Sequence, residues 1–337
     1  GPIMQQGPIL NEQQQDQQEF IQAQVVQQQV VAFSEVITAT TGNDTLTGGS
    51  GNTNFTMSQG TTMGGTDTVT DNGGTDGMTF ENMNNANVKV AIVGGGTTVA
   101  YIKQGTTYDS GTTLGQVSFT NVENLYIQDS VGGASDKMSL DISALTGTGI
   151  AMAGTSGNDT LDLSAQSGYL GSQIWGQGGV DTLSGGAGGD TIYGGAGNDI
   201  IAGGAGNDQI HGGAGADDIK FLNEANFGAN YAATKHDTIY GFVSGSDELH
   251  FTASAFTGVS AGVTIAVDGT PAANNATNLV ILGDSAWQSA GATAGSVVAG
   301  HANQRFLYNS DYGRLYYDGD GSGGSQTLLM IAELLDN

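Results

Sequence analysis

The chain has 337 residues, 57 of them Gly and only 3 Pro, and it carries 33 acidic against 7 basic side chains, a net charge of −26. So acidic a surface repels nucleic acid and anionic membranes, no stretch approaches the roughly 20 apolar residues of a membrane span, and so much Gly excludes a helical protein. There is no Cys, so disulfides do not hold the fold, and with charged residues at 12% solubility rests on Thr, Ser, Asn, Gln and Gly.

Residues 1–38 stand apart from the rest. Gly1-Pro2 reads as the remnant of a cleaved tag, and the start has neither the basic region nor the apolar core of a signal peptide, so a longer parent protein is expected. Ten Gln fall between Gln13 and Gln29, and Ala23, Val26, Val30, Phe33 and Ile37 recur at spacings of 3, 4, 3 and 4, a helical seam. The seam predicts a short N-terminal helix that acts as a linker or caps the open end of a solenoid, or that pairs as a coiled coil. The β-branched Val25, Val26, Val30 and Val31 weaken it and leave disorder or a strand as the remaining readings.

Residues 39–150 read as a degenerate solenoid or a β-rich domain. Gly42, Asp44 and Leu46 in TGNDTLT begin a Gly-Asp-aliphatic pattern, and the next block, GGSGNTNFT, keeps its glycines but has Thr53 where the Asp belongs. GGTD recurs at Gly64–Asp67 and Gly73–Asp76, nine residues apart, as turns whose metal sites are weakened or absent. Val88–Val93, Thr98–Ile102, Gln116–Phe119 and Asn124–Gln128 are short β-rich runs between Gly, Thr and Asn turns, which suit either a wider solenoid or a sandwich.

Residues 151–222 hold the pattern in full. GTSGNDTLD restarts it with Asp159 at the sixth position, and thirteen residues later Ser172 takes that position in SGYLGSQIW without a carboxylate. From Gly176 to Lys220 five blocks of nine run without a slip: GQGGVDTLS, GGAGGDTIY, GGAGNDIIA, GGAGNDQIH and GGAGADDIK. A fixed period of this kind dictates architecture. The Gly-rich first six positions suit a tight turn. The last three make a short strand in which only the eighth position, Leu183, Ile192, Ile201, Ile210 and Ile219, is reliably apolar. Two blocks form one coil with a turn at each end, and stacked coils bury a column that no block buries alone. Stacking aligns Asp181, Asp199 and Asp217 on one edge and Asp190 and Asp208 on the other. No Lys or Arg interrupts the blocks before Lys220, so the carboxylates repel unless a hard cation such as calcium, which takes six to eight oxygen ligands, lies between them.

These blocks resemble the repeat-in-toxin (RTX, haemolysin-type) calcium-binding nonapeptide, G-G-x-G-x-D-x-U-x. The resemblance implies an all-β fold, a parallel β-roll or β-solenoid, that binds several Ca2+ ions. By motif position it makes ligands of Asp181, Asp190, Asp199, Asp208 and Asp217, with Asp159 and Asp44 in the outlying copies. Gly178, Gly186, Gly188, Gly195, Gly197, Gly204, Gly206, Gly213 and Gly215, with Asn198 and Asn207, then supply mainly backbone oxygens. Asp190 is expected to form a weak first site on its edge, since its neighbour is Ser172.

Residues 223–337 read as a β-rich cap. The segment from Asp237 through Asp247 to Phe251 resembles the one that closes RTX rolls, and Arg305–Tyr308, Gly313–Gly321 and Ile331–Leu335 resemble the C-terminal regions of proteins exported by type I secretion, where the signal is C-terminal and uncleaved. Other motifs fall short. Asp318, Asp320, Ser322 and Gly323 open an EF-hand-like loop, but its twelfth position is Leu329, not Glu, so a hairpin turn is the better reading. Gly258-Val-Ser-Ala-Gly262 matches a hydrolase elbow, yet a strand-like run comes after it instead of a helix. His211, His236, His250 and His301 include no H-E-x-x-H zinc set, and His211, at the ninth position of its block, is expected on the roll's surface.

The sequence therefore reads as a non-enzymatic, calcium-binding structural module of a secreted bacterial surface-layer protein or adhesin, folding and in some cases assembling on extracellular calcium. The alternative is a C-terminal secretion and folding carrier for an exoenzyme whose catalytic domain lies elsewhere. The partners implied are calcium, the type I secretion machinery, and either further copies of the chain or a cell-surface ligand.

Overall fold

The computed structural model describes residues 33–40, 42–58, 66–81, 86–93, 97–104, 112–120, 122, 124–128, 137–141, 149–164, 171–222, 236–243, 246–251, 264–265, 279–282, 306–309, 313–317 and 329–335. Among these residues there is no helix. The chain enters through β1 (Glu35–Thr38), β2 (Thr45–Thr47), β3 (Thr53–Ser58), β4 (Thr66–Thr70) and β5 (Gly77–Glu81), then makes an excursion through β6 (Ala86–Val93), β7 (Thr97–Gln104) and β8 (Thr112–Thr120). It continues with β9 (Asn124–Gln128), β10 (Lys137–Asp141), β11 (Gly149–Ala153), β12 (Thr160–Asp162), β13 (Ser172–Gly178), β14 (Thr182–Ser184), β15 (Thr191–Ala196), β16 (Ile200–Ala202), β17 (Gln209–Ala214) and β18 (Asp218–Phe221). The last strands are β19 (Asp237–Tyr240), β20 (Glu248–Phe251), β21 (Thr264–Ile265), β22 (Leu279–Leu282), β23 (Phe306–Asn309), β24 (Arg314–Tyr317) and β25 (Leu329–Leu335).

Outside the excursion and the C-terminal strands, successive strands alternate between two sheets. One runs β1-β3-β5-β9-β11-β13-β15-β17-β19-β25-β24-β23-β22, the other β2-β4-β8-β7-β6-β10-β12-β14-β16-β18-β20-β21. This is an all-β parallel roll. Its period comes from the repeat: each block contributes one strand, and residues 18 apart are register partners (Ile192↔Ile210, Leu183↔Ile201). Because side chains alternate across a strand, the eighth position of every block points inward. Ile174, Ile192, Ile210 and Ile239 stack in one sheet and Leu161, Leu183, Ile201, Ile219 and Leu249 in the other, all buried.

The N-terminal coils carry a thicker core. Phe55, Met57, Met78, Phe80 and Leu125 are the largest fully buried side chains, and they belong to the same cluster as the aliphatic columns. Ile37 closes the predicted helical seam, yet it lies in β1, in register with Phe55; the free edge of β3 and the run Val36-Ile37-Thr38 favour a strand there. The rest of the seam, before residue 33, lies outside the described residues. Residues 78–150, for which both sandwich and solenoid readings were open, show mixed pairing. β9 lies parallel between β5 and β11, while β8, β7 and β6 form an antiparallel meander inserted between β4 and β10. Toward the C-terminus β25 adds in parallel to β19, and β24 and β23 turn back antiparallel. Leu315, Tyr317, Ile331 and Ala332 are buried in the common core. The Gly258–Gly262 and Asp318–Gly323 motifs and His301 lie outside the described residues.

Candidate metal centre

The aspartates at the sixth position end the Gly turns, and the stacking places them in two columns. The Asp181 N–H donates to Oδ1 of Asp199 and the Asp199 N–H to Oδ1 of Asp217, both at 2.8 Å; Asp159 joins through Asp181 at 2.7 Å. On the other edge Ser172 donates to Asp190 at 2.6 Å and Asp190 to Asp208 at 2.8 Å. The Asp carbonyls complete the ladder by accepting the N–H one residue past the next Asp, as in Ile200 to Asp181 and Asp218 to Asp199. The two predicted edges are thus present, and Ser172 takes the aspartate's place at one end. Its short N–H contact and its hydroxyl both lower the Asp190 pKa, opposing the rise caused by burial.

The columns run further than the five blocks. The Asp217 N–H donates to Oδ1 of Asp247 and that of Asp208 to Oδ1 of Asp237, each at 3.0 Å. Both residues keep the spacing that signals a ladder position, an Asp two residues before a buried aliphatic (Ile239, Leu249). In the N-terminal coils Asp44 donates to Asp67 at 2.9 Å and Thr53 to Asp76 at 2.7 Å. The neighbour of Asp44 is therefore Asp67 and not the Thr53 block, because consecutive blocks occupy opposite edges. The steps there and between Asp159 and Asp181 exceed 18 residues, so extra residues in a coil do not disturb the alignment.

Each carboxylate of the columns has one oxygen that accepts the N–H of the preceding coil and another aimed into the turn. Oδ2 of Asp181, Asp199, Asp208 and Asp217 is buried and accepts no hydrogen bond. This geometry requires glycine at the first position. The space a Cβ would fill at Gly176 is taken by Oδ2 of Asp181 and by the carbonyl of Gly194 in the next coil, and Gly194 meets Asp199 and Gly212 in the same way. Oxygens from adjacent coils therefore converge on each turn. At the fourth position Gly197 (φ +134°), Gly206 (+144°) and Gly215 (+137°) have backbones closed to a side chain. In the first block Gly179 (φ +112°) takes this place, while Gly178 is the last residue of β13 and pairs with Ala196. Gly186, Gly188 and Gly204 lie in the turns, whereas Gly195 and Gly213 fall within β15 and β17 and pair with each other.

The fifth-position asparagines also bridge coils through their side chains. Oδ1 of Asn198 accepts the Ala216 N–H at 3.0 Å and that of Asn158 accepts Val180 at 2.7 Å, with Asn43 and Asn52 doing the same for Thr66 and Thr75. Asn207 occupies the equivalent position. These amides tie each coil to the next beside the carboxylate column.

The electrostatics are those of a cation site. Burial pushes Asp181 up to about 8, Asp217 to about 7, and Asp190 and Asp199 to about 6. Backbone donors pull the other way, while neighbouring carboxylates of the column raise Asp181 and Asp217 further. Burial likewise raises Asp208, Asp237 and Asp247. A buried acceptor without a donor is costly, a buried unpaired charge more so, and the five blocks hold no Lys or Arg before their final residue, Lys220. Carboxylate and carbonyl oxygens in this arrangement suit a hard divalent cation.

Comparison with protein families finds the RTX calcium-binding nonapeptide repeat (4 copies) at residues 31–52, 175–210 and 193–220. Residues 31–52 and 175–220, which include the strict blocks of the roll, are thus similar to RTX repeats. Such repeats are structural modules that bind calcium, and their number implies several ions. The first RTX match includes Asp44. Comparison with curated proteins gives no match. Among solved structures the chain is similar to the extracellular lipase LipA from Serratia marcescens, at 20% identity over 68% of this chain, with a TM-score of 0.15. The chain spans 34% of that lipase's length.

Two features of the roll lay beyond the repeat template. The ninth positions in one sheet form an outer aromatic stack, Trp175, Tyr193, His211 and Tyr240, with ring centroids 6.2, 4.4 and 4.4 Å apart. His211, expected on the roll's surface, lies on that outer face stacked between the two tyrosines, and burial there lowers its pKa to about 4. It is therefore a neutral member of the stack. On the other sheet Phe221 and Phe251 stack at 4.8 Å.

Proposed function

We propose that the chain is the calcium-binding structural module of a secreted bacterial surface-layer protein or adhesin, folded by calcium outside the cell. Asp44, Asp159, Asp181, Asp190, Asp199, Asp208 and Asp217 are the carboxylate ligands, Asp67, Asp237 and Asp247 extend the set, and Gly-turn carbonyls complete it. The observation that carries the reading is the column of buried Oδ2 atoms without hydrogen-bond donors. Calcium supplies the missing positive charge between stacked turns. A site with a dissociation constant near 10⁻⁴ M, typical of extracellular modules, contributes only about 1.4 kcal/mol at roughly millimolar calcium. Folding therefore requires several sites acting with the stacking, and the transition is cooperative. A chain exported unfolded through the type I machinery from a low-calcium cytosol would fold on arrival outside.

Size-exclusion chromatography with light scattering, in chelator and in millimolar calcium, tests this. Compaction at monomer mass is the expected behaviour of a folding module, and calcium-reversible growth in mass would specify a surface-layer component. Unchanged radius and mass would refute the calcium reading. Asp199→Ala should raise the calcium midpoint severalfold and make the transition less steep; an unchanged midpoint removes Asp199 from the ligand set.

A further inference from the structure

Outside the turns, on the outer face of the β18–β20 pair, lies a second group of metal-ligating side chains. Asp218 and Glu248 are register partners, and Lys220 pairs with His250 two residues on. All four point away from the core, because Ile219 and Leu249 between them point in. Nε2 of His250 lies 3.1 Å from Oδ1 of Asp218 and 3.2 Å from Oε2 of Glu248, and the three donor atoms lie within 4.8 Å of one another. Donors each about 2.1 Å from one zinc ion lie roughly 3.0–3.4 Å apart, which both imidazole–carboxylate separations match. The side chains are partly open, 29% exposed at His250 and 39% at Asp218, so water can complete the coordination.

We propose that Asp218, Glu248 and His250 form a site for a borderline divalent metal, zinc being the best match, chemically separate from the calcium columns. Imidazole nitrogen favours zinc and its first-row neighbours, whereas calcium takes oxygen ligands. Two oxygens and one nitrogen leave at least one position to solvent. The ligands come from adjacent strands, so the ion staples the coil that carries Asp217 to the coil that carries Asp247. Lys220 beside His250 offsets part of the negative charge and leaves the set selective by its nitrogen donor.

The test uses the full chain in saturating calcium, titrated with Co2+ for its visible absorption and with Zn2+ by calorimetry. One zinc per chain is expected, with cobalt bands typical of a low-coordinate N/O site and a higher melting temperature of the calcium-loaded protein. His250→Gln should weaken binding beyond the roughly 10–100-fold that loss of an outer-shell partner costs, and should abolish the thermal shift, while His236→Gln leaves both unchanged. The calcium-induced circular dichroism of each variant is recorded first. If His250→Gln fails to fold, Glu248→Gln, at the most exposed of the three ligands, takes its place. No zinc binding in calcium, equal binding by wild type and His250→Gln, or displacement of zinc by calcium would each overturn the site and make the trio an ion-pair cluster. None of these outcomes touches the calcium reading, which the dichroism measures separately.

Discussion

The coils before the meander and the coils of the repeat region share one backbone plan but are held together differently. In the first, β3 and β5 each bury two large side chains, Phe55 with Met57 and Met78 with Phe80. In the second, β14 and β16 bury Leu183 and Ile201 as their inward-facing large side chains, and full burial of one such residue is worth about 1.5–3 kcal/mol. What the repeat coils lack in core they replace with turn chemistry: a run of closely approaching Gly backbones and longer columns of carboxylates. The carboxylates make the turns a liability until a cation arrives. A solenoid can thus be stabilised from its interior or from its edges, and this chain does each in a different stretch.

The largest effect that can break this comparison is calcium removal. Hydrogen exchange after chelation should show amides of residues 176–220 losing protection while those of β3 and β5 keep most of theirs. Equal loss in both would mean one cooperative unit without separate supports. Next in size, Phe80→Ala should cost about 3–5 kcal/mol in denaturant unfolding of the calcium-loaded protein, with the calcium midpoint of the repeat region unmoved. A shifted midpoint would show that the thick core sets calcium affinity at a distance.

A smaller contrast lies in the glycines. Gly197→Ala combines positive φ with collision against the Gly179 carbonyl, whereas Gly73 has positive φ but nothing within 4 Å of an added Cβ. Backbone strain alone costs about 1–3 kcal/mol, so Gly73→Ala should fall within that range and Gly197→Ala above it. Similar melting temperatures for the two would remove close turn packing as the distinction.

Acidity should act more gently, and with a definite sign. Asp181, Asp190, Asp199 and Asp217 have pKa values raised to between about 6 and 8 in the metal-free fold, against 3.8 ordinarily. The folded state therefore binds more protons than the unfolded one. Its contribution from these groups is fully present below about pH 4 and is lost as pH rises through 6 to 8. Lowering pH from about 8 to about 5 should restore structure to chelated protein, raise the calcium midpoint, and make calcium uptake release protons into weak buffer. Loss of β-structure on acidification of the chelated protein would contradict the buried-carboxylate picture.

Much of the site was legible because the period is strict. Gly176 to Lys220 specified the coil length, the inward eighth positions and both Asp columns, since each of these depends only on which residues recur 18 apart. Beyond the strict period the reading was partial. Asp237 and Asp247 keep the Asp-x-aliphatic spacing yet arrive 29 and 30 residues after their neighbours, so counting alone did not align them. Thr53 masked the link from Asp44 to Asp67 because sequence neighbours lie on opposite edges. Ile37 suited both a helical seam and a strand, and the free edge of β3 decided between them.

What the sequence by itself determined, then, is the repeating unit: a Gly turn, an acidic residue without a basic partner, and one aliphatic side chain turned inward. These are local properties, set by φ preference, charge and alternation along a strand. Only the tertiary structure decided which residues meet across coils outside the strict period and which outward side chains pack on one another. It placed the β6–β8 meander inside one sheet, stacked Trp175, Tyr193, His211 and Tyr240 on the outer face of the other, and brought His250 against Asp218 and Glu248. The meander, the step from His211 to Tyr240 and the His250 group depend on the register between coils of unequal length, which hydrogen bonding between neighbouring strands sets and no local preference encodes.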